Sequence, residues 1–211
     1  MPKPRVLLAD DHALVLEGFR RILEEHYELV GTVRDGYALL AAAKTVQPDI
    51  IILDISMPLL NGIDTAAQLT RICPTAKIII VTMHADAAYV RSAFEAGASA
   101  YVLKGSAVDE LEQAIRAVLA GHTYITPLIT KELVDAYLST TSEKPRGLTP
   151  RQREVLQLLA EGQTAKEIAN LLHITSRTVE FHKGQIMDQL KLKTTADLIK
   201  YALTHGIVNA S

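Results

Sequence analysis

Five polar residues stand directly after short apolar runs, and their types belong to one chemistry. Asp10 and Asp11 follow Arg5–Ala9, Asp54 follows Ile50–Leu53, Thr82 follows Lys77–Val81 and Lys104 follows Ala100–Leu103. Three carboxylates brought to one spot repel each other and call for a divalent cation. Oxygen-only donors select a hard ion, Mg2+, held octahedrally with several waters. A lysine and a hydroxyl beside that ion make a pocket for a dianionic phosphoryl group. Transfer of such a group needs little from a protein beyond positioning and charge neutralisation. One carboxylate can act as the nucleophile and become an acyl phosphate. Taken singly, an Asp after a strand is a helix cap or turn residue, and a Lys there is a solvated charge. Five of them in chain order, each at a strand end, argue for a site.

The elements that must position them are legible as alternating patterns. Arg5–Ala9, Glu28–Val33, Ile50–Leu53, Lys77–Val81 and Ala100–Leu103 are strand-like, three of them β-branched-rich with no polar alternation. Strands covered on both faces read this way. Helical patterns separate them: His12–Glu25, Gly36–Val46, Ile63–Ile72, Ala87–Glu95 and Val108–Ala120. Five βα units predict an α/β fold, a doubly wound parallel sheet of five strands with helices on both faces. In such sheets ligands bind beyond the carboxyl ends of the strands, where the strand order reverses. That is where the five residues fall.

Asp10-Asp11, the run Asp54-Ile55-Ser56-Met57-Pro58-Leu59-Leu60-Asn61-Gly62, Thr82 and Lys104 together resemble the receiver domain of bacterial two-component response regulators. The resemblance implies a flavodoxin-like fold, a sensor histidine kinase as partner and a site whose residues transfer one by one. Asp54 would be the phospho-acceptor. Asp11, Asp54 and the backbone carbonyl of Ser56 would bind Mg2+, with Asp10 acting partly through water. Lys104 would pair with the phosphoryl oxygens. Thr82 and Tyr101 would form a switch pair, in which new charge-assisted hydrogen bonds bias a two-state loop and helix surface. For Tyr101 the alternative is a ring packed at the sheet edge. Ser56 and His84 occupy positions that, in receivers, flank the path of the hydrolytic water.

The tail has a different texture. Ile125-Thr126-Pro127 is a helix start, followed by a short amphipathic segment, Leu128–Leu138, and a polar linker, Ser139–Gly147. Then come four capped helical patterns. Thr149-Pro150-Arg151-Gln152 and Thr164-Ala165-Lys166-Glu167 are capping boxes, Thr175 is placed to cap a third helix through Leu190, and Thr194 opens a fourth, Ala196–His205. The order short helix (Ala165–Leu172), tight turn (His173-Ile174-Thr175), longer helix (Ser176–Leu190) is that of a helix-turn-helix. On the second helix, Val179, Ile186 and Leu190 face a core, while Arg177, Glu180, Phe181, Gly184 and Asp188 share the opposite side. An exposed phenylalanine beside a mid-helix glycine is costly for a mere bundle. Close approach to nucleic acid explains both.

Leu148 to Leu156 and Thr178-Val179-Glu180-Phe181-His182-Lys183 resemble the LuxR-type DNA-binding domain. Receiver plus LuxR-type tail is the arrangement of NarL/FixJ-like response regulators. That likeness implies a phosphorylation-activated regulator of transcription, binding double-stranded promoter DNA and homodimeric when phosphorylated. The domains expected are 1–125 (receiver), 126–146 (linker with a short helix) and 147–211 (a small all-α, four-helix helix-turn-helix domain). Some members of the family carry lysines where this chain has Glu180 and Gly184; others carry Glu-Phe-His, as here. Glu180 can accept from a cytosine amino group and Phe181 can touch a thymine methyl. Arg177, His182, Lys183, Gln185 and Lys166 are candidates for phosphate contacts, which position without specifying, and Thr178 is a further candidate DNA-binding residue. For His182, packing within the helices is an equal alternative.

Composition fits this organisation. The chain has 211 residues and a net charge of −2. Residues 1–125 carry 11 basic against 15 acidic side chains, and residues 147–211 carry 8 against 6, so a mildly basic tail follows an acidic first part. A single cysteine, Cys73, excludes an intrachain disulfide and a cysteine-built metal site. Apolar runs such as Ile78–Val81 are far too short to cross a bilayer, and the N-terminus has no apolar signal core, so a cytoplasmic protein is expected. Two other function classes compete. An Mg2+-dependent phosphatase or phosphotransferase would turn substrate over, but no dedicated acid–base group accompanies Asp54. An interaction protein with a phosphate-blind receiver would not need the complete acidic set. The expectation is therefore a switch, with no catalysis beyond self-phosphorylation and self-dephosphorylation.

Overall fold

A computed structural model describes residues 2–130, 148–205 and 207–208. Contacts divide the chain into two compact units.

The first unit is wound around a parallel sheet. Its strands are β1 (Arg5–Ala9), β2 (Glu28–Val33), β3 (Ile50–Leu53), β4 (Lys77–Thr82), β5 (Ala100–Leu103) and β6 (Tyr124–Ile125). They lie in the order β2-β1-β3-β4-β5-β6, and every pair is parallel. Between them run α1 (Ala13–Leu23), α2 (Gly36–Val46), α3 (Gly62–Ile72), α4 (Ala87–Glu95) and α5 (Ala107–Leu119), the last entered through a 3-10 turn at Lys104–Ser106.

Strand alternation sorts the apolar side chains into two layers. Leu7, Ile51, Leu53, Ile80 and Tyr101 pack with Leu39 and Ala43 of α2, Leu69 of α3 and Val90 of α4. The neighbouring residues Val6, Leu8, Ile50, Ile52, Ile79 and Val102 pack with Leu16, Phe19 and Leu23 of α1 and Leu111, Ile115 and Val118 of α5. Each Val, Leu, Ile or Phe side chain so buried contributes about 1.5–3 kcal/mol relative to exposure. A one-residue slip of any central strand would exchange the layers, which pins the register.

The sheet has six strands where five were expected. Two residues, Tyr124 and Ile125, add the sixth by pairing with Ala100 and Tyr101. A two-residue strand is too short to show periodicity, and the helix-start signal beside it masked it. That signal was sound in itself, because residues 127–130 are helical and Ile129 N–H donates to the Thr126 carbonyl at 3.2 Å. The remainder of the amphipathic segment and the linker, residues 131–147, lie outside the described residues.

The second unit contains α6 (Pro150–Ala160), α7 (Ala165–Leu171), α8 (Ser176–Leu190) and α9 (Thr195–Thr204). Thr149 and Gln152 form a reciprocal capping box, as do Thr164 with Glu167 and Thr194 with Asp197; Thr175 caps α8 through the Thr178 N–H. Each such cap satisfies otherwise orphaned N–H groups, worth about 1 kcal/mol apiece. Val155, Leu156, Leu158, Ile168, Val179, Ile186, Leu198 and Ala202 are buried. Helix α8 packs on α6 and α7, and α9 packs on α6. Gly162 closes α6 with a φ of 85°, whereas His173, in the turn before α8, takes a left-handed φ of 53° without being glycine. Among the described residues, no helix is long and apolar enough to cross a membrane.

Candidate functional site

Register brings the chemical residues together. Ala9 lies opposite Leu53, Leu53 opposite Ile80 and Thr82 opposite Leu103, so the next residues of β1, β3 and β5 emerge side by side. The Asp54 N–H donates to the Ala9 carbonyl at 3.0 Å, which locks the ends of β1 and β3 to each other. The chain leaves β1 for β2 on one side and crosses to β3 on the other, so this is where the strand order reverses.

Lys104 sits between the two buried carboxylates. Its Nζ lies 2.7 Å from Asp10 Oδ2 and 2.8 Å from Asp54 Oδ2. Burial alone would push the lysine down, but Asp54 and Asp10 outweigh it and hold the ammonium above its ordinary value. Burial raises the Asp10 carboxyl, opposed by its hydrogen bonds from Lys104 and the His12 N–H. Asp54 is 3% exposed, and its second oxygen, Oδ1, has no hydrogen-bond partner among the described residues. A buried carboxylate oxygen left bare is costly. It marks the spot where a ligand atom belongs.

Asp11 completes the acidic set at the pocket's mouth. One ligand atom from each of Asp10, Asp11, His12 and Asp54 lies within 4.8 Å of the others. The His12 Nδ1 approaches Asp11 Oδ1 to 2.7 Å and Asp10 Oδ1 to 3.2 Å. The carboxylates and the bare Oδ1 make a donor set that can hold a divalent cation.

Thr82 is fully buried, and its hydroxyl accepts from the His84 N–H at 3.4 Å. The Tyr101 hydroxyl donates to the His84 carbonyl at 2.8 Å. The Tyr101 ring is fully buried in a core layer, and β6 pairs along the outer edge of β5. Ser56 Oγ and His84 Nε2 are hydrogen-bonded at 2.9 Å, and the His84 ring stacks on Tyr89 with centroids 4.3 Å apart. Burial pushes His84 below its ordinary value and Tyr89 up to about 12.

Two residues at the pocket escaped the sequence reading. His12 was visible as an imidazole next to two carboxylates, a ligand type beside ligand types. Tyr89 carried no signal, since its stacking depends on how the loop before α4 folds.

On the second unit, α8 presents the residues expected to face nucleic acid. Arg177, Glu180, Gly184 and Gln185 are exposed, as is Phe181 at 61%. Lys166 is exposed on α7. Thr178, His182 and Lys183 are half-buried. The Thr178 hydroxyl is engaged with Thr175 Oγ at 2.9 Å, and the His182 Nδ1 is buried without a partner among the described residues. Nothing lies within 4 Å of where a Gly184 Cβ would stand, so the chain's own packing does not require glycine there.

Comparison with known proteins agrees with this geometry. Residues 6–116 match the response regulator receiver domain, and residues 146–202 match the bacterial regulatory proteins of the luxR family. The chain belongs to the NarL/FixJ-like two-component response regulators: a receiver domain joined to a LuxR-type DNA-binding domain, regulating transcription. It is 39% identical to the transcriptional regulatory protein MctR of Rhizobium johnstonii over 210 residues, which is 99% of this chain and 97% of MctR. Among solved structures it is similar to the RcsB response regulator of Salmonella typhimurium, with a TM-score of 0.68, 30% identity, and coverage of 95% of this chain and 97% of RcsB. A structure of two RcsB dimers bound to two parallel DNAs matches with a TM-score of 0.59 and 29% identity, over 94% of this chain and 97% of that one.

Proposed function

We propose that this regulator is switched by a phosphoryl group carried on Asp54 and supplied by a phosphohistidine of a sensor histidine kinase. The observation that carries the reading is the division of labour on one buried carboxylate: Oδ2 is held by Lys104 while Oδ1 is bare. Oδ1 attacks phosphorus, the P–N bond to the donor imidazole breaks, and an acyl phosphate remains on Asp54. Asp11, Asp54 and the Ser56 carbonyl would hold Mg2+, with Asp10 contributing through water. When bound, the ion neutralises charge on the transferring group. Lys104 pairs with the phosphoryl oxygens. Thr82 turns its hydroxyl toward the new charge, and Tyr101 follows as the second half of the switch. The domains are 1–125, 126–146 and 147–211, and the protein works in the cytoplasm.

In the tail, Glu180 and Phe181 read base edges, while Lys166, Arg177, Thr178, His182, Lys183 and Gln185 position the helix on the backbone. A domain with few positive charges neutralises few phosphates and binds weakly alone. Two copies on half-sites about one helical turn apart gain affinity through effective concentration, without any new base contact. Phosphorylation therefore acts by favouring a homodimer on promoter DNA. Genome-wide mapping of bound DNA supplies the operator fragment. Light scattering and DNA affinity at fixed salt, with and without acetyl phosphate and Mg2+, then test the switch. The expected result is a doubled mass and tighter binding with the phosphodonor; equal mass and equal affinity would overturn it.

Two further outcomes are expected. Replacing Ser56 and His84 together by Ala should change the self-dephosphorylation rate several-fold while phosphate uptake persists. These side chains are hydrogen-bonded to each other beside the acceptor. An unchanged decay rate would mean that they do not gate the hydrolytic water. Gly184→Ala should raise the stability of the second unit by up to about 1 kcal/mol, because helix propensity favours alanine and the site has room. The same change should weaken DNA binding. A variant that is more stable yet binds DNA unchanged would remove Gly184 from the interface.

A further inference from the structure

Strand β6 gives way to a helix at one residue, and it does so by departing from the parallel ladder. The Thr126 N–H donates to the Tyr101 carbonyl at 2.9 Å, the rung that follows the Ile125–Tyr101 pair. In a regular ladder the next rung would run from the Leu103 N–H to the Thr126 backbone carbonyl. Instead the Leu103 N–H donates to the Thr126 hydroxyl at 3.0 Å. The side chain stands in for its own carbonyl. The carbonyl so released accepts the Ile129 N–H at 3.2 Å and opens the helical residues 127–130.

The same hydroxyl is used a second time. While accepting from Leu103 it donates to Glu110 Oε2 at 2.8 Å, in the first turn of α5. Only a hydroxyl can accept and donate through one atom in this way. Thr126 is fully buried, which makes the loss of either bond costly. Ile129 is buried in the same core layer as Tyr101. One side chain thus ties together the end of β5, the start of α5 and the helix that leads, in chain order, toward the linker.

Strand β5 is also the one that serves the acceptor. Tyr101 lies within it, and Lys104, 2.8 Å from Asp54 Oδ2, follows it directly. Leu103, the residue held by Thr126, immediately precedes Lys104. We propose that Thr126 is the positioning residue through which β5 passes the state of Asp54 to the segment entering the linker. The proposal rests on Asp54 being the phospho-acceptor. Lys104 drawn onto a phosphoryl oxygen displaces Leu103, the Leu103–Thr126 bond loosens, and the helix start at 127–130 loses its anchor.

The full-length parent, Thr126→Val and Thr126→Ser are compared with and without acetyl phosphate and Mg2+. Valine keeps the branched shape but neither accepts nor donates, whereas serine keeps the hydroxyl. Intact mass follows phosphate uptake, binding to the operator fragment follows output, and thermal unfolding verifies the fold. Thr126→Val should take up phosphate within about twofold of the parent's rate, while its phosphate-dependent gain in DNA affinity shrinks at least about fivefold, the low end of coupling between sites. Thr126→Ser should restore the gain. If Thr126→Val gains affinity as the parent does, Thr126 merely completes the sheet; the proposal falls and Asp54 stands. If it loses phosphate uptake as well, Thr126 supports the acceptor itself and the coupling role is overturned. Amide hydrogen exchange in the parent covers a valine variant that fails to fold. Exchange over residues 126–130 should quicken at least about threefold on phosphorylation, as local opening becomes easier. Unchanged exchange would overturn the proposal. A parent that takes up no phosphate, or gains no affinity from it, brings down the switch itself and this proposal with it.

Discussion

Asp54→Asn should take up no phosphate from acetyl phosphate, whereas the parent should reach one stable adduct per chain. The substitution keeps the shape of the side chain and its hydrogen bond to the Ala9 carbonyl through the backbone N–H. It removes the nucleophile, since an amide oxygen has no full charge to offer phosphorus. Lys104 retains Asp10 at 2.7 Å, so no buried ammonium is left unpaired and the fold persists. Mass spectrometry of the intact protein reads the adduct, and circular dichroism verifies the fold. Undiminished labelling of the variant would move the acceptor elsewhere. Asp10 cannot take over, because its Oδ1 is committed to the His12 N–H and its Oδ2 to Lys104.

Gly62→Ala should be the most damaging small substitution in the first unit. A Cβ at Gly62 would stand 2.0 Å from the Asp54 carbonyl oxygen and 2.8 Å from both the Asp54 carbonyl carbon and the Ile55 Cα. All three are backbone atoms at the end of a buried strand, so no flexible side chain can swing away. Overpacking of this kind costs about 3 kcal/mol, and for a unit of this size that lowers the midpoint of unfolding by about 10 °C. Relief by backbone movement would displace Asp54 itself, so the rate of phosphate uptake should fall together with stability. A variant that melts within about 2 °C of the parent and takes up phosphate at the same rate would mean that α3 can shift without disturbing the acceptor.

Much of the sheet was legible because its central strands are uninterrupted apolar runs with a charged or hydroxyl residue immediately after each. Ile50–Leu53 needed no partner to be recognised as a strand, and Asp54 was marked by its position at the end of it. The caps of the second unit were equally local: Thr149 with Gln152 and Thr164 with Glu167 each lie within one turn. What was not legible depends on partners distant in the chain. The Ser56–His84 hydrogen bond joins residues 28 positions apart, and the Tyr89 stack depends on the path of one loop. Strand β6 exists because Thr126 and the two residues before it align on β5, a tertiary match that two residues cannot announce. The turn to His12 was hidden for another reason. A residue that starts a helix is read as a cap, and here the ring is elsewhere.

His84 is gripped at four points: its N–H by the Thr82 hydroxyl, its carbonyl by the Tyr101 hydroxyl, its Nε2 by Ser56 and its ring face by Tyr89. Such a residue behaves as a pivot with four rods attached. In the proposed switch, pulling the Thr82 hydroxyl toward Asp54 either breaks its long contact with the His84 N–H or draws His84 away from the other three. If both proposed roles hold, the clock that sets how long a signal lasts and the linkage that announces it share a single moving part. Retuning one at this joint would then alter the other, and a lineage that needed a faster or slower response would have to recalibrate its output at the same time.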